Sequence, residues 1–490
     1  MPSRLSFSRD LGMYWQSLIF IFSTALGCLI GFQIAQLPFL VVLFGAVGIV
    51  LLGASVIRIE YPFYLLLICS ILFAVEPPSG SIFEYLTDMK FPGVPTFVEM
   101  LAAVLVLSFA VRSVLRKGKV SVPLLNYPVL VFLALFAISF SVGWLRGVDS
   151  VLLKEDAKKF LFPVLMFICC VNILNSDARI RYVAFFSLFL GVVKSCLGNI
   201  YYLKGYGFSY GDMNVVFLSS GDHLVFVTVI LVSISLMIHK KLRGGKLLLL
   251  ILANFPMIFT LIFSFRRNTW LGVIFSLGIL FLLTRGIGKM KMIMFTLCGV
   301  LAVTGLFSLS NVVEKLPSKK FLINRFTSIG DREESSNVSH YEEWRVTLED
   351  IARNPIMGLG LGSQHSPVPG NEVLNKHTVH NAFIMLWMKM GIFSLILFVY
   401  YLIRYLGFAI KAVRAKEGYD LKPLQIGLLS TFGYWIVALN VGPSWFYYQD
   451  TFLMGLVAAV VVNLSRLRNR SVSGSESERI QAGTEANAGI

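Results

Sequence analysis

Long apolar runs separated by short polar connections recur along almost the whole chain. The runs predict helical spans at 15–33, 37–57, 61–76, 97–113, 125–145, 160–174, 180–200, 222–239, 247–264, 268–285, 291–310, 381–410, 425–441 and 447–465. Each is near the length a helix needs to cross a hydrocarbon layer, about 17–25 residues. One stretch breaks the rhythm: residues 311–380 are polar, rich in turn residues and far longer than an ordinary connection. The pattern predicts an all-α polytopic membrane protein of about fourteen transmembrane helices with one large external loop. Residues 1–310 then hold the first eleven helices, 311–380 the loop and 381–465 the last three. Residues 466–490 lack aromatics and are Ser-, Glu- and Ala-rich, which predicts a disordered tail. The first run follows Arg4 and Arg9 and is succeeded at once by another without a small-residue cleavage site, so it reads as a retained span.

Composition supports the same class. The chain is 56% hydrophobic and only 14% charged, with a mean hydropathy of +0.75, whereas soluble domains carry about 25% charge. The net charge of +16 would suit nucleic acid if it formed a patch. It does not: threaded through the spans, Arg112, Arg116, Lys117 and Lys119, then Lys240, Lys241, Arg243 and Lys246, fall on one side. Arg285, Lys289 and Lys291, Lys411, Arg414, Lys416 and Lys422, and Arg466, Arg468 and Arg470 fall there too. The opposite connections 34–36 and 441–446 carry no Lys or Arg. This bias places both termini in the cytoplasm and residues 311–380 outside, and it removes nucleic acid as a partner. The six cysteines lie in apolar runs and the loop has none, so no disulfide framework is expected.

Cations on the outer side are then the exceptions. Arg146, Lys154, Lys158 and Lys159 lie in the 146–159 connection, and the one-turn spacing of Lys154 and Lys158 suits a short interfacial helix with a basic face. Arg266 and Arg267 occupy the hairpin between the ninth and tenth spans. Paired guanidiniums there suit an anionic ligand or, more plainly, lipid headgroups. In the loop, Ser339-x-x-Glu342 reads as a capping box, Tyr341, Trp344, Leu348 and Ile351 as one apolar stripe, and Pro355 as the stop. Arg345, beside the stripe, suits either an anion or a surface pair with Glu342 or Glu349.

Gly358, Gly360 and Gly362 lack the strand–loop–helix context of a nucleotide site, which leaves a turn or a loop whose N–H groups approach a phosphate. His380 stands at the start of a long apolar helix, where the positive helix terminus favours a neutral, proton-accepting ring; a plain cap is the alternative. Asn381 is placed to orient that ring or a sugar. His365 and His377 are near in sequence, but no H-x-x-x-H spacing is present and no metal is expected. Glu99, Lys194 and Lys389 lie inside spans with no partner visible in the sequence.

Three of these segments together resemble the O-antigen ligase/polymerase superfamily of bacterial envelope glycosyltransferases. FSFRRNTWLG is similar to the family's Ser-Arg-x-x-x-Leu-Gly hairpin, with Arg267 in the arginine position and Arg266 in place of the serine. WRVTLEDIARNPIMGLGLGS resembles its W-R…P-h-x-G-h-G segment (h, apolar), and HNAFIMLWMKMGIF its His-Asn-h-h-L…G signature. Lys389 departs from the family, where an acidic residue commonly precedes the glycine, so no role is carried to it. The resemblance implies a GT-C-like membrane fold in the bacterial inner membrane with the loop periplasmic. It implies transfer of a glycan from an undecaprenyl-diphosphate donor to a hydroxyl of lipid A–core or, alternatively, of a growing glycan. In that chemistry Arg266, Arg267 and Arg345 would neutralise the diphosphate and His380 would take the acceptor proton, with Asn381, Gly358, Gly360, Lys154 and Lys158 in support. The outer loops contain no D-x-D motif, which fits metal-independent transfer with no cofactor. A transporter is the rival of another class, but it would concentrate charge and broken helices at mid-membrane rather than at the outer boundary.

Overall fold

The structure, a computed structural model, describes residues 50, 53–54, 58–72, 97–115, 120, 126–203, 208–210, 213–215, 220–240, 242–308, 324–328, 331, 334–369, 377–414, 420–442 and 448–488. Apart from residues 50, 53 and 54, the spans expected at 15–33 and 37–57 lie outside these residues. The chain divides into two compact units, residues 1–69 with 81–120, and residues 70–80 with 121–490. Of the first unit the described part is most of α1 (Glu60–Leu72) and all of α2 (Phe97–Leu115).

The second unit contains α3 (Asn126–Leu145), α4 (Ser150–Ile173), α5 (Asp177–Leu203), α6 (Ser220–His239), α7 (Gly245–Phe263), α8 (Arg267–Leu283) and α9 (Ile287–Ser308). There follow α10 (Ser335–Ala352), α11 (Ala382–Arg414), α12 (Lys422–Ser430), α13 (Phe432–Val441) and α14 (Tyr448–Ala488). A two-stranded antiparallel ribbon, β1 (Phe208–Tyr210) and β2 (Met213–Val215), joins α5 to α6. Among the described residues eight helical segments are long and apolar enough to cross a membrane, α12 and α13 together forming one of them. Apart from that ribbon the described residues are helical, and the protein is a polytopic membrane protein of the α-helical class.

Helices α4 and α14 pack extensively against one another in the second unit. Gly455 lets α14 approach Phe167 of α4, and Asn463 donates to the Val171 and Leu174 carbonyls, each at 2.8 Å, at the end of α4. Those carbonyls have no partner inside their own helix. Peripheral helices are apolar on most sides, as lipid requires: on α3, Tyr127, Leu130, Leu133 and Trp144 are all exposed.

Four sequence expectations are corrected. Residues 146–159 do not form a separate interfacial helix. Asp149 accepts the Val151 N–H and opens α4, which runs unbroken through Pro163, so Lys154 and Lys158 lie exposed on its first turns. The cap of α10 is Glu334, not Ser339, because Glu334 accepts the Asn337 N–H and is itself held by Arg267. The expected apolar stripe only partly coincides with the buried face: Tyr341 and Leu348 are exposed and Trp344 partly covered, while Ile351 is buried with Glu343, Val346, Thr347 and Asp350. Finally, α14 continues to Ala488 where a disordered tail was expected.

Candidate active site

Helix α10 has two faces of different character. Residues 343, 346, 347, 350 and 351 fall on one side at helical spacing and are covered; Glu342, Arg345 and Glu349 fall on the other and are open. After α10 the chain turns at Asn354-Pro355 and lies against α11 at a break in that helix, where Gly391 adopts φ 77°. A Cβ at Gly391 would lie 2.1 Å from the Ile356 carbonyl, so only glycine admits the loop there. The Trp387 indole donates to Pro355 O (2.8 Å), Leu359 N–H to Met388 O (2.6 Å) and Ile392 N–H to Ile356 O (3.2 Å). On its other side the loop meets α3, where Gly360, at φ 92°, packs against Gly143 and Leu361 N–H bonds Ser139 O.

These bonds decide the reading of the glycine motif. Gly358 N–H goes to Asn354 O and Gly362 N–H to Asp156 Oδ2, at 2.9 and 2.6 Å. The motif is a close-packed strap in which the Gly358, Leu359, Leu361 and Gly362 N–H groups bond within the protein. It is neither a flexible turn nor a cradle for phosphate.

Against the strap lies a buried polar network. Lys389 is fully covered; its Nζ is 2.9 Å from Asp156 Oδ2 and 3.2 Å from His377 Nδ1, and it donates to Ser363 O. An ammonium only donates, so His377 Nδ1 is the acceptor, and the other ring nitrogen, Nε2, lies 2.9 Å from Asp156 Oδ1. Asp350 closes the next turn by accepting the Ser366 N–H and hydroxyl at 2.6 and 2.8 Å. Sequence reasoning marked Lys389 but not Asp156, its partner 233 positions earlier.

Beyond the strap in the chain, His380 is held by a residue the sequence reading missed. Glu343, buried on α10, accepts the His380 backbone N–H at 3.0 Å, and both its oxygens lie 3.1 Å from His380 Nδ1. Burial pushes the Glu343 carboxyl up, but hydrogen bonds from His340 and His380 outweigh it and bring the group down to about 2. An ionised carboxylate is only an acceptor. Nδ1 therefore carries the proton, and Nε2 of the neutral ring is left as a bare acceptor. His380 itself stays partly open. Asn381 caps α11, its Oδ1 accepting from Phe383 N–H and Ile384 N–H at 3.0 and 3.1 Å, while its Nδ2 donates to Asn440 O. Its side chain orients the helix, not the ring or a sugar.

Two further imidazoles face the same carboxylate. His340 Nδ1 is 3.9 Å from Glu343 Oε2 and its ring lies 4.7 Å from that of His380; His365 Nε2 is 4.0 Å from Glu343 Oε1. His340, Glu343 and His380 present three ligand atoms within 4.8 Å of one another. The overlooked signal was His340-x-x-Glu343, an i,i+3 pair that shares one helix face.

The predicted arginines do not converge on this point. Arg267 donates to Ser328 O (2.8 Å) and Glu334 (2.8 Å), tying the hairpin to the start of α10. Glu334 precedes Glu343 by nine residues, about 13 Å along the helix. Arg266 opens α8 beside it, after Phe265 in the left-handed region at φ 51°. Arg345 lies about 200° around α10 from Glu343, on the open face, paired with Glu342 and Glu349 at 2.9 and 2.6 Å. It therefore takes the surface-pair reading and is removed from the site.

Residues 252–399 match the family model described as O-antigen ligase. The chain carries an O-antigen ligase domain. The matched segment spans the Arg266–Arg267 hairpin, α10, the strap and the first half of α11, and its similarity to that family supports a glycosyltransferase of the O-antigen ligase/polymerase type. Asp156 and Gly143, which anchor the strap from α4 and α3, lie outside the matched segment. A search of curated proteins found no match.

Proposed function

We propose that the protein transfers a glycan from an undecaprenyl-diphosphate donor to a hydroxyl of lipid A–core at the periplasmic face of the bacterial inner membrane, with His380 as general base. The observation that carries the reading is the Glu343–His380 pair: a carboxylate fixes the Nδ1 proton and leaves Nε2 free on a partly open ring. Nε2 takes the acceptor's hydroxyl proton as that oxygen bonds to the donor's anomeric carbon. The bond from that carbon to the diphosphate oxygen breaks, and the diphosphate leaves with its electron pair. We assign its neutralisation to Arg266 and Arg267, Arg267 exchanging Glu334, at the start of α10, for phosphate oxygens as the donor's diphosphate reaches toward the hairpin. The donor carries its own activated bond and the base is an imidazole, so the transfer step takes no metal. A polymerase would run the same step with a growing glycan as acceptor.

The test is transfer by purified protein in detergent, supplied with a lipid-diphosphate glycan and lipid A–core. His380→Ala should lower turnover by about 10²–10⁴-fold while donor binding persists. Near-normal turnover would remove the base, and a growing glycan outrunning lipid A–core as acceptor would make the enzyme a polymerase. The periplasmic placement is checked separately: Val338→Cys, on the exposed face of α10, should react with an impermeant thiol reagent in intact cells.

A further inference from the structure

We propose that His340, Glu343 and His380, backed by His365, form a binding site for a divalent transition-metal cation of the zinc type, and that occupancy switches the base off. The binding part stands on geometry alone; the inhibitory part rests on the base reading above. Imidazole nitrogens with one carboxylate suit zinc and its neighbours rather than magnesium or calcium, which take oxygen ligands. Tetrahedral zinc with bonds of about 2.0–2.2 Å puts its ligand atoms roughly 3.3 Å apart. The His380–Glu343 separation of 3.1 Å already meets this, and His340 Nδ1 at 3.9 Å requires only a modest turn of a partly exposed ring.

His365 supplies the independent observation. Its Nδ1 is 2.7 Å from the Ser366 carbonyl, an acceptor, so Nδ1 carries the proton and Nε2 a bare lone pair. That Nε2 is buried, has no hydrogen-bond partner among the described residues, and faces Glu343 Oε1 at 4.0 Å. Two electron-rich atoms thus face one another in a dry setting. A cation between them relieves that opposition, and Asp350, by fixing Ser366, holds the imidazole in place.

Binding at His380 Nδ1 displaces the ring proton to Nε2. The metal-bound neutral imidazole then has no acceptor nitrogen, and proton transfer from the hydroxyl stops.

The experiment uses the full chain in detergent, stripped with chelator and titrated with ZnCl₂ by calorimetry and with CoCl₂ by visible absorption. One zinc per chain is expected, with the intense absorption of tetrahedral cobalt and no competition from excess Mg²⁺. Affinity should fall at least about tenfold in His340→Ala and in His365→Ala. His340→Asn serves if the alanine variant unfolds. No stoichiometric binding, or binding indifferent to these substitutions, overturns the site. With zinc bound, transfer should cease and return on chelation, and His340→Ala should resist zinc relative to its own metal-free rate. Zinc that binds as expected but leaves transfer unchanged, or is required for it, keeps the site and overturns the base.

Discussion

Two clusters of histidine and carboxylate adjoin the strap and the segment that follows it. In the first, Lys389, Asp156 and His377 form a closed ring in which ammonium, carboxylate and imidazole find one another in the interior. In the second, Glu343 faces three imidazoles, His380 is partly open to the outside, and at least one ring nitrogen is left over. The Lys389 cluster joins an ammonium to a carboxylate and bonds the strap at Gly362 and Ser363. The Glu343 cluster has acceptors in excess, which is what a proton or a cation needs. Histidine and carboxylate near a boundary do not by themselves mark chemistry; what sets the Glu343 cluster apart is a partly open ring and a carboxylate with no ammonium beside it among the described residues.

The contrast between His380 and His377 gives the largest expected difference. His380→Ala should abolish most transfer with little loss of thermal stability, whereas His377→Ala should lower stability and leave the turnover of the folded fraction within a few-fold. Equal losses of turnover in both variants would erase the distinction between the clusters. Next in size is Lys389→Met. It strands Asp156 as an unpaired buried charge, which typically costs about 3–5 kcal/mol, so the unfolding midpoint in detergent should drop sharply and recover in part when Asp156→Leu is added. A midpoint unmoved by Lys389→Met would mean that the Lys389 cluster is not what holds the strap.

Glu343→Gln tests the second cluster more finely. Glutamine keeps the shape, but its amide can also donate to Nδ1 and favour the wrong tautomer, so turnover should fall about a hundredfold. The acid dependence carries its own sign. The Glu343 carboxyl ionises near 2 when folded against an ordinary 4.5, so its stabilising contribution is complete above pH 4.5 and drains away as pH falls toward 2. Melting followed between those values should show a limb in the parent that is flatter in Glu343→Gln. The smallest effect belongs to Arg345→Gln, which removes only exposed pairs and should change turnover by less than about twofold. A tenfold loss there would return the donor diphosphate to the open face of α10.

What the sequence made legible follows from the range of the forces involved. Helices such as α6, α7 and α11 are written in local hydropathy and were placed within a few residues. His380 and the strap stood out because polar, turn-forming residues interrupt that pattern. Partners were not visible, because Asp156 reaches Lys389, and Glu343 reaches His380, across separations that no local spacing records. Arg345 misled for the opposite reason: its motif position was legible, but which way it faces around α10 depends on what covers the other side. The cap of α10 was misplaced since Ser339 satisfies the local rule while Glu334 has the distant support of Arg267.

The break at Gly391 also fixes an order of events. The strap precedes α11 in the chain, yet its carbonyl at Ile356 and its amide at Leu359 are bonded to Ile392 and Met388, on either side of that break. During synthesis the strap leaves the ribosome first and lacks its α11 partners until that helix follows. Helices α3 and α4, which supply its other footholds, are by then long in place. Glu343 and His380 therefore meet only after the twelfth predicted span has been inserted, and a chain arrested before that point holds most of the scaffold but no assembled base.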